Sequence, residues 1–109
     1  MTAILNNPKT IEDICRAWRA SEARLHLECI EAGDDDKLVA AACDRDDRRT
    51  DELFVRLQKM QAASDDDVYE LLKIAKLLLV LSWENAERIK VILGMASSAL
   101  SNRHIKRAA

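Results

Sequence analysis

Residues that form turns and strands are scarce in this chain of 109 residues. It contains two glycines, one proline and four aromatic residues, whereas alanine, leucine and charged side chains are abundant. All-β and α/β folds need more turn residues and more β-branched runs than this chain provides. The composition therefore predicts an all-α protein, and the length predicts a single helical domain over residues 1–109.

Motifs for catalysis and metal binding are also missing. The chain has only two histidines, and it contains neither a glycine-rich phosphate loop nor a dinucleotide-binding fingerprint. Glu22, His26 and Cys29 share one helix face and could in principle hold one metal ion. We prefer the interpretation in which His26 is a boundary polar residue beside a core cysteine. The sequence thus predicts no enzyme, with no catalytic residues, no cofactor and no metal site.

Cysteine is too sparse to form a disulfide framework. Cys15, Cys29 and Cys43 include no C-x-x-C pair, and Cys15 and Cys29 would lie ~21 Å apart along a helix, too far for a bond. An odd number of cysteines without a framework is typical of a reducing compartment. Each of the three lies on an apolar helical stripe, where cysteine packs as a small hydrophobe. We therefore expect reduced, structural cysteines in a cytoplasmic protein.

Long apolar runs are absent as well. The longest run of large aliphatic side chains is 77–81, far shorter than the roughly 20 residues that cross a bilayer. Residues 1–8 lack a basic start followed by an apolar run, so no signal peptide is expected. We predict a soluble protein without membrane contact.

Helix-start and helix-stop residues define the first predicted helix. Asn7 is suited to the N-cap and Pro8 to the first helical position. Thr10 offers an alternative start. Apolar residues then recur at helical spacing until Gly33, which is typical of a helix end. The first helix is predicted over 8–32.

Two clusters of three aspartates, at 34–36 and 65–67, mark the next helix starts. Carboxylates are favourable there because the N-terminus of a helix carries partial positive charge. Oppositely charged residues four apart favour a solvated helix through 44–52. The predicted helices are 35–62 and 65–102, followed by a flexible basic tail over 103–109.

The segment 65–102 is the longest predicted helix. It would extend roughly 50 Å, more than the width of a compact domain of this size. Its apolar residues occupy more than one face, which predicts burial from several sides. We therefore predict an antiparallel bundle of three long helices, completed by coiled-coil dimerisation; a bend or split near Ser82 is the alternative.

Gly94 indicates where the dimer contact would form. Glycine inside a helix costs about 1 kcal/mol relative to alanine, and Ser98 and Ser101 follow at i+4 and i+7. Small residues at this spacing form a groove for a crossing backbone, although an ordinary tolerated glycine is the alternative. The candidate oligomer interface comprises Leu78, Leu81, Asn85, Ile89, Ile92, Gly94 and Ser98.

Charge is distributed unevenly along the chain, although the net charge is only −2. Residues 34–67 carry six basic and eleven acidic side chains, whereas 68–109 carry seven basic and three acidic ones. Basic residues at a helix end complement the helix dipole without any ligand. A contact with a partner protein or with nucleic acid is the alternative role for Arg103, Lys106 and Arg107.

These features together predict a protein–protein interaction module. We expect a small cytoplasmic helical regulator, adaptor or chaperone-like subunit that acts as a homodimer with an unidentified protein partner. The alternative is a nucleic-acid-associated accessory protein that uses the basic C-terminal segment. The missing interleaved aromatic residues make nucleic acid the weaker candidate.

Overall fold

The computed structural model describes the backbone of residues 9–81 and 85–108, and the side chains of 9–80 and 85–102. Within these ranges the chain is all-α, as predicted, and no strand occurs. The four helices are α1 (Ile11–Ala32), α2 (Asp36–Gln58), α3 (Asp65–Leu81) and α4 (Ala86–Ala108).

A side-chain cap at Thr10 begins α1, and the backbone conformation of Gly33 ends it. The Thr10 hydroxyl accepts a hydrogen bond from the backbone N–H of Asp13 at 3.0 Å, so the alternative start is the one the chain adopts. Asn7 and Pro8 lie outside the described residues. Gly33 ends the helix with a φ of 57°, a value that favours glycine because it has no Cβ.

The aspartate clusters begin α2 and α3, as predicted. The Asp35 carboxylate accepts hydrogen bonds from the N–H groups of Lys37 and Leu38 at 3.1 and 3.2 Å. At α3, the Ser64 hydroxyl accepts from the N–H of Asp67 at 3.1 Å, and the Asp67 carboxylate accepts from the N–H of residue 63 at 2.9 Å. This arrangement resembles a capping box, except that the carboxylate reaches one residue beyond the N-cap.

The preferred prediction of three helices is not confirmed, and the alternative of a split near Ser82 agrees with the structure, because the described residues of 65–102 form two helices that pack against each other. α3 ends at Leu81 and α4 begins at Ala86; Ser82 lies outside the described residues. Folding back buries Leu78 and Ile92 in one core, with 2% and 0% of their surface exposed. Burial within the chain replaces the partner that a single long rod would need.

The helices form two hairpins that meet along α1 and α3. α1 packs against α2, α3 packs against α4, and α1 also contacts α3. Trp18 is fully buried in the shared core, and its ring meets Phe54 edge-on at 6.2 Å between centroids. We call α1–α2 the first hairpin and α3–α4 the second hairpin.

Two predicted helix ends differ from the structure. α2 ends at Gln58 rather than at 62, and Ala62 packs against the core from the following connection. α4 continues to Ala108. The backbone of 103–108, predicted as a tail, is therefore helical.

Candidate functional site

Polar side chains are buried where α1, α2 and α4 approach one another. Glu22 of α1 is 9% exposed, and Asp46 and Thr50 of α2 are 4% and 3% exposed. Ser21 and Arg88 contact this group, as the distances below show. We call these five residues the polar cluster.

The polar cluster continues the apolar face of the first hairpin. Glu22 follows Trp18 by one helical turn, and Thr50 precedes Phe54 by one turn. Residues four apart lie on the same face of a helix. The helix–helix contact therefore changes from aromatic to polar within one turn on both helices.

Arg88 joins the second hairpin to the first. Its guanidinium donates hydrogen bonds to the Thr50 hydroxyl at 3.3 Å and to the Asp51 carboxylate. The same group lies 5.7 Å from the ring centroid of Trp18 and 5.4 Å from that of Phe54. These distances are within the range of cation–π attraction. One side chain of α4 thus contacts both helices of the first hairpin.

Glu22 binds a proton unusually tightly. Burial, the negative charge of Asp46 and a hydrogen bond with that carboxyl group together raise the pKa of Glu22 to about 7. Arg88 opposes this rise. The Ser21 hydroxyl donates a hydrogen bond to the Asp46 carboxylate at 2.6 Å. The polar cluster can therefore gain or lose a proton near neutral pH.

An ion pair network supports the contact between α1 and α3. Glu70 accepts hydrogen bonds from Arg19 and Lys73, each at 2.7 Å. Although burial alone would raise the pKa of Glu70, the two cations hold it below its ordinary value. This network therefore keeps a negative charge that positions the hairpins.

The described residues provide no site for a metal ion and no membrane span. No group of three or more histidine, cysteine, aspartate or glutamate side chains among them is placed to hold a metal. His26 is exposed, whereas Glu22 is buried. In the same part of the chain, no helix combines the length and hydropathy needed to cross a bilayer.

The predicted oligomer interface divides into two groups. Leu78 and Ile92 are buried inside the chain, and Ile89 packs against the same core. Asn85 is half-buried, and its side-chain amide donates a hydrogen bond to the carbonyl of Leu78 at 3.3 Å. These four residues hold α3 and α4 together, while the side chain of Leu81 lies outside the described residues.

The remaining two predicted interface residues face outwards. Gly94 and Ser98 are both exposed on α4. A Cβ at Gly94 would meet no atom within 4 Å, so the intrachain packing does not require glycine there. The basic residues Arg103, Lys106 and Arg107 belong to the last turns of α4, but their side chains are outside the described set. A nucleic-acid contact through them stays a prediction.

An uncharged, partly apolar surface surrounds Gly94 and Ser98. Residues 91–102 contain no charged side chain, and Leu93 and Leu100, one heptad apart, are 43% and 50% exposed. Ser97 and Ser101 are exposed between and beside them. We call Leu93, Gly94, Ser97, Ser98, Leu100 and Ser101 the α4 face.

Sequence reasoning missed both the polar cluster and the two leucines of the α4 face. Glu22 occupies an apolar stripe one turn after Trp18, and Thr50 is the one uncharged residue of 44–52. Each anomaly was a usable signal of a buried polar contact. The exposure of Leu93 and Leu100 depends on how α4 packs against α3, which the sequence pattern does not define.

The fold and these sites define an all-α protein of two helical hairpins with a buried polar cluster at their junction. Comparison of the chain with known protein families, curated proteins and solved structures gave no match.

Proposed function

We propose that this protein is a non-enzymatic protein–protein interaction module that acts as a homodimer through the α4 face. The single observation that carries the proposal is the exposure of Leu93 and Leu100 on a helix surface without charge. Exposed apolar patches on small proteins commonly mark interaction sites. Within this class, a regulator, adaptor or chaperone-like subunit is the role we infer.

A second copy of the chain is the partner that suits the α4 face. In a two-fold dimer the same patch meets itself, so any charge on it would face its own copy. Because residues 91–102 carry no charge, the α4 face avoids this repulsion. The small side chains at Gly94 and Ser98 also allow two helices to cross closely.

The first hairpin offers a contrasting surface. Its α2 segment 44–52 is charged at every position except Thr50, and a charged surface of this kind favours solvent over a self-complementary contact. On α1, Leu27 and Ile30 are 60% and 76% exposed, but each is followed by a charged residue, Glu28 or Glu31. Exposure of leucine or isoleucine alone therefore does not distinguish the two hairpins; absence of charge does.

Light scattering across a range of concentrations tests the proposal. The wild-type chain should approach twice its mass of 12.3 kDa as concentration rises. The double variant Leu93→Lys with Leu100→Lys places two cations on the α4 face, which would oppose two more on the partner copy. We expect this variant to remain at the mass of one chain.

The matched control is Leu27→Lys with Ile30→Lys, which makes the same chemical change on more exposed residues of α1. This control should dimerise like the wild type. A wild-type mass of one chain at all concentrations would refute the homodimer. Equal dimerisation of both double variants would refute the α4 face as its contact.

A further inference from the structure

Cys29 and Cys43 face each other across the first hairpin. Both are free and half-buried, one on α1 and the other on α2. Cys29 is also among the groups whose proximity raises the pKa of Cys43. Of the three cysteines, they are therefore the pair that the fold brings together.

The antiparallel register of the hairpin accounts for this proximity. Trp18 of α1 contacts Phe54 of α2 at 6.2 Å between ring centroids. Cys29 lies eleven residues after Trp18, and Cys43 lies eleven residues before Phe54. Eleven residues are about three turns of helix, so each cysteine shares the helix face of its aromatic residue.

An ion pair holds the same end of the hairpin together. Glu28, next to Cys29, accepts a hydrogen bond from Arg45, two residues beyond Cys43. Burial of Glu28 would raise its pKa, but the hydrogen bond from Arg45, the largest single effect, lowers it overall. The contact flanks the two thiols and limits their separation.

We propose that Cys29 and Cys43 form a reversible intramolecular disulfide by exchange with a low-molecular-weight disulfide such as oxidised glutathione. In the first step, the Cys29 thiol loses its proton to water and its sulfur attacks one sulfur of the reagent. One glutathione thiolate leaves, takes up a proton, and a mixed disulfide remains on Cys29. The Cys43 thiol then loses its proton and attacks the Cys29 sulfur, which releases the second glutathione. Two protein thiols are oxidised, and one glutathione disulfide is reduced to two thiols.

The surroundings of each thiol determine the order of these steps. Burial, followed by the charges of Cys29 and Asp47, raises the pKa of Cys43. A thiolate is the attacking species, and the raised pKa of Cys43 reduces its thiolate fraction, so we assign Cys43 as the resolving thiol. Cys15 is fully buried, and burial with the nearby Glu70 raises its pKa to about 12. Cys15 therefore takes no part.

The sequence predicts that all three cysteines are structural. In this proposal Cys15 retains a structural role, whereas Cys29 and Cys43 form a modification site. The bond would close a loop that contains the whole connection between α1 and α2. It should raise the melting temperature of the oxidised protein, because a cross-link restricts the unfolded chain.

Tryptic mapping can test the pairing directly. Cleavage after Lys9, Arg16, Arg24, Lys37 and Arg45 places each cysteine in a separate peptide: Cys15 in 10–16, Cys29 in 25–37 and Cys43 in 38–45. The native protein is incubated with oxidised glutathione, quenched by alkylation and digested without reduction. We expect the intact oxidised protein to have the mass of one chain less two hydrogen atoms. After digestion, peptides 25–37 and 38–45 should be joined by a disulfide, and peptide 10–16 should carry no glutathione.

Two variants complete the design. Cys15→Ser should retain the joined pair, whereas Cys29→Ser should lose it together with the rise in melting temperature on oxidation. Unreacted thiols, separate glutathione adducts on both peptides, a joined pair that contains 10–16, or a cross-link between two chains would each overturn the proposal.

Discussion

The two hairpins share a helical architecture but differ in how their surfaces are made. The first hairpin carries several of its charges in ion pairs, including Glu28 with Arg45 between its helices. The second hairpin has an uncharged stretch of twelve residues at 91–102, in which two leucines are exposed. Surface charge therefore distinguishes the two hairpins, and this difference is why we propose the second hairpin as the one that contacts a partner.

The junction between the hairpins differs from both surfaces, because a cation there contacts polar and aromatic groups. Arg88 reaches from α4 to Thr50 and Asp51, and it lies over the rings of Trp18 and Phe54. A single cation on the second hairpin thus meets polar and aromatic groups that the first hairpin buries. Arg88 and the Glu70 network therefore add polar contacts between the hairpins to the apolar core that α1 and α3 share.

The largest expected effect comes from removing the Arg88 contact with Arg88→Met. Methionine keeps much of the side-chain volume but loses the hydrogen bonds and the cation–π contacts. We expect a loss of about 1–3 kcal/mol in the free energy of unfolding, because Thr50 is left with a buried hydroxyl that has lost a donor. Urea denaturation followed by circular dichroism measures this change.

Lys90→Met is the matched control for Arg88→Met, since Lys90 is exposed two residues further along α4. It should change the free energy of unfolding by less than about 0.5 kcal/mol. If the two variants are equally stable, Arg88 does not couple the hairpins.

An intermediate effect is expected from Glu22→Gln, and it depends on pH. The pKa of Glu22 is about 7 in the folded chain against an ordinary value of 4.5, so the folded state binds the proton more tightly. The stability that this proton contributes is complete below pH 4.5 and is lost as pH rises through 7. Glutamine carries no charge at either pH. The variant should therefore be more stable than the wild type at pH 8, by about 1–2 kcal/mol after solvent screening is considered.

Urea denaturation at pH 5 and pH 8 measures this difference. At pH 5 the wild type and Glu22→Gln should unfold at similar urea concentrations. Glu31→Gln changes an exposed carboxylate on the same helix and provides the control. A wild type and a Glu22→Gln variant that lose equal stability between the two pH values would contradict the role assigned to Glu22.

The smallest effect is expected from Gly94→Leu, which tests the second hairpin alone. Within one chain the added side chain meets no atom near its Cβ, so leucine should stabilise the monomer by up to about 1 kcal/mol through helix propensity. In the dimer, the same side chain would separate two crossing helices and weaken association. Melting at low concentration and sedimentation at high concentration measure the two effects separately.

Gly94→Ala is the control, since alanine improves helix propensity with a much smaller side chain. It should stabilise the monomer and reduce dimerisation less than leucine does. If Gly94→Leu melts higher at every concentration and dimerises as the wild type does, Gly94 lies outside the dimer contact.

The starts of α2 and α3, and the alternative start of α1, could be predicted because their causes are local. Thr10, Asp35 and Ser64 each cap a helix through hydrogen bonds to N–H groups within three residues. The stop at Gly33 likewise depends on one backbone conformation. Such signals need no knowledge of the rest of the chain.

The number of helices could not be obtained in the same way. Residues 65–102 have a composition compatible with one rod, and their local propensity does not oppose it. The chain instead forms α3 and α4, which bury Leu78 and Ile92 together. Whether such a segment folds back depends on the apolar surface that the resulting contact removes from water, and that surface exists only in the tertiary structure.

The polar cluster and the cysteine pair depended on the tertiary structure for the same reason. Glu22 and Asp46 lie 24 positions apart, and Cys29 and Cys43 lie 14 apart, so their proximity follows from the register of α1 against α2. The sequence by itself determined the helical class, the caps and the uncharged stretch at 91–102, because these depend on neighbouring residues. The tertiary structure decided which residues share an environment, because burial and contact arise only when distant segments pack.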